Sequence, residues 1–264
     1  LRPGQLNSLT VLASQTNYQG TGDPAEVLGV AVTVQITRDM LTGLPHGMYN
    51  RNLGIWQPVE LVVTDPLYLR EGQVTPSLTG LDADVTFGGA RTAAVACQLA
   101  AVITDRKTGE TLYRDARPVT VGQAPQDHYR LQVADLKPKL WSPEQPNLYD
   151  LELTFSEAAS GKVLDRLKIP VGFRTFEVRG NRLYLNGQPY WLRGANHCPS
   201  GLKPNDPKLA HTFLRLMHEG NTMITRTHGS SFTEAWLNAA DEEGVGVSME
   251  GIWPWVNIDN SAVI

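Results

Sequence analysis

The sequence predicts a multidomain protein that is β-rich up to about Phe176 and α/β after Val178. The first reason is length, because 264 residues exceed one ordinary domain and suit about two. The second is a series of short runs rich in Val, Thr, Leu and Tyr, separated by Gly, Pro, Asp and Asn. The third is a change to alternating strand and helix patterns in the last part of the chain.

The β-rich part contains six runs with the character of strands. They are residues 30–36, 59–63, 85–87, 93–103, 149–155 and 163–171. In residues 149–155 apolar and polar side chains alternate, which puts one face of the strand in a core and the other in water. Thr108-Gly109 and Ser160-Gly161 lie between such runs and predict hairpin turns. Short strands at this spacing predict an antiparallel β-sandwich.

A hairpin and a helix are predicted where the pattern changes. Residues 182–184 and 189–192 flank Asn186-Gly187, and Asn-Gly is the strongest short-range hairpin signal. A helix then begins at Asp206-Pro207, since Asp caps a first turn and Pro lacks the N–H that this turn leaves unpaired. Gly220 ends this helix.

Two more strands and a second helix follow. Residues 221–225 and 245–249 are predicted strands, and residues 232–243 form an amphipathic helix that ends at Gly244. This alternation favours a parallel α/β unit and fits the opening of a (β/α) barrel. Residues 177–264 are far fewer than the roughly 250 that such a barrel needs, so the barrel is expected to be cut off.

The first part of the chain is the least regular. Residues 1–61 are rich in loops and are interpreted as the tail of a preceding β domain. The predicted domains are residues 1–62, 63–176 and 177–264. The ends of the sequence, at Leu1 and Ile264, are interpreted as cuts within a longer protein.

Composition narrows the possible partners. The formal net charge is -4, from 23 basic and 27 acidic residues. There is no basic stripe to neutralise phosphates, so no nucleic-acid partner is expected. No apolar run approaches the ~20 residues of a membrane span, so no membrane partner is expected.

Cys97 and Cys198 predict neither a disulfide framework nor a zinc site. Cys198 is a possible nucleophile, although single cysteines more often behave as small buried side chains.

Four segments carry a family resemblance. They are LGIWQPVEL at residues 53–61, LWSPEQPNLY at 140–149, the set GFR, LNG and LRGAN at 172–174, 185–187 and 192–196, and GNTMITRTHG followed by ADEEGV at 220–229 and 240–245. Their order and spacing are similar to landmarks of glycoside hydrolase family 2, the group of β-galactosidases, β-mannosidases and β-glucuronidases. The second segment is the most specific, because it is close to the family's LWSPENPNLY.

The resemblance implies an architecture and a reaction. The architecture is an immunoglobulin-like β-sandwich between the end of a jelly-roll, sugar-binding-like domain and the start of a (β/α)8 TIM barrel. The reaction is retaining, exo-acting hydrolysis of a terminal β-linked sugar by two glutamates with carboxyl groups about 5–5.5 Å apart. In the family both glutamates lie on later barrel strands, the first within an Asn-Glu pair, and no such pair occurs here. No catalytic residue is therefore assigned, and the chain alone is expected to be inactive.

The resemblance also places substrate-binding residues where the first two barrel strands end. Active sites of such barrels lie at the carboxyl ends of the strands, and Asn196 and His197 follow the first strand. Arg226 and His228 end the second, where the family places side chains that bind the sugar or orient a carboxylate. Arg226 offers a fixed fork of donors to a carboxylate; the alternative is a salt bridge within the barrel mouth. His228 either donates to a substrate hydroxyl or packs against a loop.

Glu250 and Trp253 come after the third strand and resemble a sugar subsite, since indole faces stack on the C–H faces of sugars. The alternative is a cluster that closes the mouth of the core. Family galactosidases carry a magnesium-binding acidic residue a few positions past this strand. Pro254 stands there, so neither a metal site nor a cofactor is expected. Pro199, three positions after Asn196, makes this stretch more similar to the mannosidase-like form than to the galactosidase form.

Three functions remain open. The first is part of an exo-acting β-glycosidase with a carbohydrate substrate, the second a non-catalytic β-sandwich that binds carbohydrate or acts as a scaffold, and the third a hydrolase-like protein without its glutamates. An Asn-Glu pair downstream favours the first over the third. The sandwich is interpreted as a spacer, because Trp56, Trp141 and Trp191 are each predicted at a domain seam. The oligomeric state is open, and a periplasmic or secreted bacterial protein is expected rather than a cytoplasmic one.

Overall fold

The computed structural model describes residues 62–89, 93–122, 127–196, 203, 205–227 and 232–249. In chain order the elements are β1 (Tyr68–Pro76), β2 (Leu81–Gly88), β3 (Val95–Asp105), β4 (Thr111–Val121), β5 (Asp127–Val133), β6 (Trp141–Ser142), β7 (Gln145–Pro146), β8 (Tyr149–Glu157), β9 (Val163–Val171), β10 (Phe176–Arg179), β11 (Arg182–Leu185), β12 (Gln188–Pro189), β13 (Gly194–Asn196), α1 (Pro207–Glu219), β14 (Ile224–Arg226), α2 (Glu234–Glu243) and β15 (Gly246–Ser248). The predicted strand at residues 30–36 lies outside the described residues.

Two antiparallel sheets pack face to face as a β-sandwich. One sheet has the strand order β1-β2-β5 and the other has the order β4-β3-β8-β9. Their buried side chains meet in one core, in which the ring centroids of Phe87 and Phe155 lie 4.9 Å apart. The predicted alternation is confirmed, because Tyr149, Leu151 and Leu153 of β8 are buried while Glu152 is exposed.

Particular residues explain the two hairpin turns of the sandwich and one contact between its sheets. Gly109 and Gly161 adopt φ of 75° and 69° at the two predicted hairpin turns, and glycine reaches these left-handed values without steric cost. On one side of the sandwich the main-chain N–H of Leu69, on β1, donates to a carboxylate oxygen of Asp165, on β9, at 2.8 Å. This bond joins an edge strand of one sheet to an edge strand of the other.

Two small sheets follow the sandwich. Strands β10, β11 and β12 form an antiparallel sheet. Its predicted turn at Asn186-Gly187 has φ of 52° and 76°, the pair of positive values that a two-residue type I′ hairpin requires. Strands β13, β14 and β15 then form the predicted parallel sheet.

Helices α1 and α2 connect and cover the parallel strands. As predicted, the carboxylate of Asp206 caps α1 by accepting from the main-chain N–H of Lys208 and of Leu209, at 3.0 and 3.1 Å. Gly244 ends α2 with a φ of 74°. A second core joins both helices to β15, with Leu214 and Trp236 fully buried in it. Neither of these two described helices is long and apolar enough to cross a membrane.

Several predicted bounds differ from the structure, and three of the differences are as follows. Val62 and Val63 lie outside any strand and are 71% and 82% exposed. The strand predicted from Asn221 begins only at Ile224, because Asn221 adopts a left-handed φ of 61°. The second helix begins at Glu234 rather than at residue 232.

Candidate functional site

A polar row crosses the parallel sheet where its strands end. Asn196 on β13 is opposite Arg226 on β14, and Arg226 is opposite Ser248 on β15. All three residues are exposed. Since side chains alternate between the faces of a strand, residues in register share a face. The preceding row on that face consists of Gly194, Ile224 and Gly246.

The other face of the sheet is packed against the helices. Thr225, which lies between the two rows, is fully buried. Val245 and Val247 pack into the core formed with α1 and α2. The main-chain N–H of Thr227 donates to the carbonyl oxygen of Ser248 at 3.1 Å, which keeps the ends of β14 and β15 together. The helix layer therefore leaves the polar row on the open side of the sheet.

The structure brings together two of the predicted substrate-binding residues. Asn196 and Arg226 are neighbours in register. Ser248 completes their row and was not predicted, although its place near the end of the strand predicted over residues 245–249 is a signal that could have identified it. The remaining predicted residues, which are His197, His228, Glu250 and Trp253, lie outside the described residues.

The row combines three kinds of hydrogen-bonding group. The guanidinium of Arg226 offers donors in a fixed plane, the amide of Asn196 offers donors and an acceptor, and the hydroxyl of Ser248 offers both. Such a set suits a polyhydroxyl ligand or a carboxylate. Within the part of the chain that the structure describes, no cluster of three His, Cys, Asp or Glu side chains is placed to hold a metal ion.

The contacts between the sandwich part and the α/β unit, made by Trp141, Pro143 and Arg106 with α2 and the turn after it, are called the seam. The Trp141 side chain is buried, and its indole N–H donates to the main-chain oxygen of Asp241, on α2, at 2.9 Å. The guanidinium of Arg174 lies over the same ring, 5.0 Å from its centroid. One tryptophan of the sandwich therefore contacts both units.

The turn between α2 and β15 fits closely against the sandwich. A side chain at Gly244 would overlap the carbonyl of Pro143, which lies between β6 and β7. Gly244 also has a φ of 74°. Two independent constraints, backbone conformation and space, thus favour glycine where the chain enters the third parallel strand.

Charged groups flank the seam. Arg106 donates to Asp150 of the sandwich at 2.6 Å and to Glu242 of α2 at 3.3 Å. Burial raises the pKa of the Asp241 carboxyl above its ordinary value, although the positive charges of Arg174 and Arg106 oppose that rise. The neutral acid is therefore favoured more at Asp241 than at an exposed aspartate.

A cavity of ≈ 480 Å³ opens beside the seam. Its lining includes Trp141, Arg174, Asp241 and the apolar Ile224 of the sheet. Tyr190 also lines it and donates through its hydroxyl to Glu144 at 3.1 Å. Burial, followed by the negative charge of Glu144, raises the pKa of Tyr190 to about 12. Most of the lining residues are apolar, and Arg174, Tyr190 and Asp241 are the polar ones.

Comparison with known families identifies one match. The model of the glycosyl hydrolases family 2 matches residues 67–174. This range begins just before β1 and ends after β9. It contains the segment at residues 140–149 and the set of residues 172–174 on which the resemblance rests.

Several curated relatives resemble a longer stretch of the chain. A β-galactosidase from Priestia megaterium is 31% identical over 172 residues, which are 56% of this chain and 16% of that protein. A β-galactosidase from Alteromonas mediterranea is 27% identical over 74% of this chain and 19% of its own length. A β-glucuronidase from Paenibacillus borealis is 24% identical over 76% of this chain and 32% of its own length. The chain thus spans less than a third of each of these relatives.

Solved structures share the fold. A glycosyl hydrolase family 2 member from Bacteroides cellulosilyticus superposes with a TM-score of 0.65 at 22% identity, over 71% of this chain and 27% of that one. A Bacteroides uniformis β-glucuronidase superposes with a TM-score of 0.59 at 21% identity, over 70% of this chain and 24% of that one.

The family match covers the sandwich, and the relatives extend beyond it in both sequence and fold. Together these findings support a likeness to the glycosyl hydrolases family 2, with the family model matching residues 67–174.

Proposed function

We propose that the chain is part of a retaining, exo-acting β-glycosidase, either galactosidase-like or mannosidase-like. One observation carries the proposal: the exposed row of Asn196, Arg226 and Ser248 lies at the carboxyl ends of parallel strands, directly after a family 2 domain. Barrel enzymes bind substrate at that end of their strands. The names of the relatives, β-galactosidase and β-glucuronidase, support a β-linked sugar as the substrate.

The proposed architecture has three parts. Residues 1–62 are the end of a jelly-roll domain, residues 63–176 an immunoglobulin-like sandwich, and residues 177–264 the start of a (β/α)8 TIM barrel. The order of strands and helices from β13 to β15 supports the last part, because each parallel strand in such a barrel is followed by a helix. In the complete protein, further strands would pair with the outer edges of β13 and β15.

In this proposal the residues of the chain bind and orient rather than react. Two glutamates elsewhere in the protein act as nucleophile and as acid/base, and no catalytic residue lies in this chain. Arg226 donates to a carboxylate, which keeps that group ionised, or to a sugar hydroxyl. Asn196 donates to a neighbouring hydroxyl. His197, His228, Glu250 and Trp253 complete the proposed substrate-binding set, with Trp253 stacking on the sugar.

The experiment compares two arginine variants of the complete protein. Hydrolysis is measured on nitrophenyl β-galactoside, β-mannoside and β-glucuronide, which also identifies the sugar. Arg226→Gln is expected to lower kcat/KM by roughly 10- to 100-fold, the usual effect of losing a hydrogen bond from a charged group. Arg166→Gln, on an exposed position of β9, is the matched control and is expected to leave the rate unchanged. Equal rates for both variants would remove Arg226 from the proposed site.

The 264-residue chain by itself is expected to hydrolyse none of these substrates. Turnover that follows the purified chain through chromatography would contradict the proposal that both glutamates lie elsewhere. The alternative, a carbohydrate-binding sandwich, predicts that the isolated chain binds oligosaccharides with measurable heat. The structure disfavours it, because Trp141 is the one tryptophan of residues 63–176 and is buried, so it offers no face for a sugar.

A further inference from the structure

The hairpin turn at Asn186-Gly187 holds the only Asn-Gly pair in the sequence. It connects β11 to β12, and the space around Gly187 is open, with no atom within 4 Å of the place where a side chain would begin. Asn-Gly is the dipeptide in which an asparagine side chain is most easily lost as ammonia, because glycine does not shield its own main-chain nitrogen. The turn is therefore chemically vulnerable by its sequence.

The side-chain amide of Asn186 makes a hydrogen bond through its oxygen and another through its nitrogen. Its oxygen accepts from the main-chain N–H of Thr175 at 3.0 Å, and its nitrogen donates to the carbonyl oxygen of Trp141 at 3.0 Å. The main-chain N–H of Asn186 also donates to the carbonyl of Thr175 at 2.9 Å. One amide thus connects the hairpin to the start of β10 and to β6 of the sandwich.

The reaction would have to break this arrangement. The main-chain nitrogen of Gly187 attacks the side-chain carbon of Asn186 and loses its proton; the new C–N bond forms as the old one breaks and ammonia leaves. Water then opens the resulting succinimide to aspartate or isoaspartate. The five-membered ring requires a ψ of Asn186 that a type I′ turn does not have. Ring closure also pulls the amide away from Thr175 and Trp141, which are fixed on other segments.

We propose that Asn186-Gly187 is a deamidation site that the assembled seam protects and that reacts when the hairpin separates from the sandwich. The protection comes from the two side-chain hydrogen bonds and the turn geometry together. The inference is independent of the proposed glycosidase function, because it involves only residues of the hairpin and the sandwich.

The product would oppose reassembly of the seam. Aspartate offers only acceptors where asparagine donates, so a carboxylate oxygen would face the carbonyl oxygen of Trp141. Isoaspartate adds a carbon atom to the main chain within a two-residue turn. Either product weakens the contact through which Trp141 is held, and the change is irreversible.

The first experiment compares reaction rates in the folded and the unfolded chain. The 264-residue chain is incubated in mildly alkaline buffer, with and without urea, and the peptide containing Asn186 is followed by mass spectrometry and by an isoaspartate assay. The folded chain is expected to react about thirtyfold more slowly, the factor given by two hydrogen bonds of ordinary strength. Equal rates in both conditions would overturn the proposal, as would an absence of reaction in urea.

The second experiment makes the product directly. Asn186→Asp is expected to lower the melting temperature of the chain, because its side chain cannot donate to Trp141. Asn181→Asp is the matched control, since it adds the same charge at the exposed turn of the same small sheet. Equal melting temperatures for the two variants would show that the amide of Asn186 does not hold the seam.

Discussion

At the scale of single residues, Trp141 makes the most varied set of contacts. Its ring carries the cation–π contact with Arg174, its N–H reaches Asp241, and its carbonyl accepts from Asn186. The bond to Asp241 spans 100 positions of sequence. No local pattern indicates such a pair, so the residue types of the LWSPEQPNLY segment could be noted from the sequence while their partners could not.

The hydrogen bond of Trp141 can be tested with a replacement that keeps an aromatic ring but has no N–H donor. Trp141→Phe keeps an aromatic ring in the seam, but the main-chain oxygen of Asp241 then loses the indole N–H that donates to it. We expect the free energy of unfolding to fall by about 1–3 kcal/mol, the range for a buried polar group that loses its partner. Urea titration followed by circular dichroism measures this. An unchanged urea midpoint would show that water replaces the indole there.

Asp241 is expected to lower stability at neutral pH. Its pKa in the folded chain is raised by burial, so the folded state binds the proton more tightly than the unfolded state does. The free energy of unfolding therefore decreases as the pH rises through the two pKa values and stays low above them. Asp241→Asn removes the ionisation and should raise the melting temperature at pH 7.

The pH dependence provides the check on this prediction. Below the ordinary aspartate value of 3.8, the carboxyl is neutral in both states and the advantage of Asp241→Asn should disappear. Asp135→Asn, at an exposed position, changes the net charge equally and serves as the control. A stabilisation that is the same at pH 7 and in acid would rule out the carboxylate as its cause.

At the scale of elements, the turn between α2 and β15 is the most constrained connection described. Gly244→Ala introduces a left-handed alanine and an overlap with the carbonyl of Pro143. Gly109→Ala is a matched control, because Gly109 has a φ of 75° and nothing within 4 Å of its added carbon. The control is expected to lose about 1–2 kcal/mol, and Gly244→Ala clearly more. Differential scanning calorimetry measures the stability of both variants. Equal losses of stability would mean that the turn can move away from Pro143 without any further loss of free energy.

The strands that the sequence predicted and those that it missed differ in position. The central strands β2, β3 and β8 carry regular apolar alternation and were predicted, although β2 was predicted too short. The missed sandwich strands β1, β4 and β5 all lie at sheet edges, although the edge strand β9 was predicted with its full range. Edge strands tolerate polar residues and even proline, as Pro118 in β4 shows. Most side chains of these strands are exposed or half-buried, so few apolar residues mark the alternation.

The elements of the α/β unit were easier to predict. Asp206, Gly244 and Asn186-Gly187 each act through their immediate neighbours, so their effect is readable from a few residues of sequence. The row of Asn196 and Arg226 follows from the rule that parallel strands end at one edge. The exact neighbour of Arg226 on its other side, Ser248, required the register between β14 and β15.

At the scale of the whole molecule, the seam determines whether the sandwich and the α/β unit unfold together. Arg106 bridges them by charge and Trp141 by packing and a hydrogen bond. We expect a single calorimetric transition for the chain and two transitions for Gly244→Ala, in which the fit of the turn is lost. Two well-separated transitions in the unaltered chain would show that the seam does not couple the units.

The two sides of the seam, which are the β6–β7 ribbon and the turn after α2, are synthesised one after the other, and this order bears on how the protein folds during synthesis. The ribbon of β6 and β7 leaves the ribosome well before α2 does, and domains generally fold from the amino end during synthesis. The sandwich can therefore already be folded, with Trp141 and Pro143 in place, when the α2 turn emerges. The turn that contains Gly244 would then meet a surface on which Pro143 is already in place. On this view, a slowly folding sandwich would delay the parallel strands that follow it.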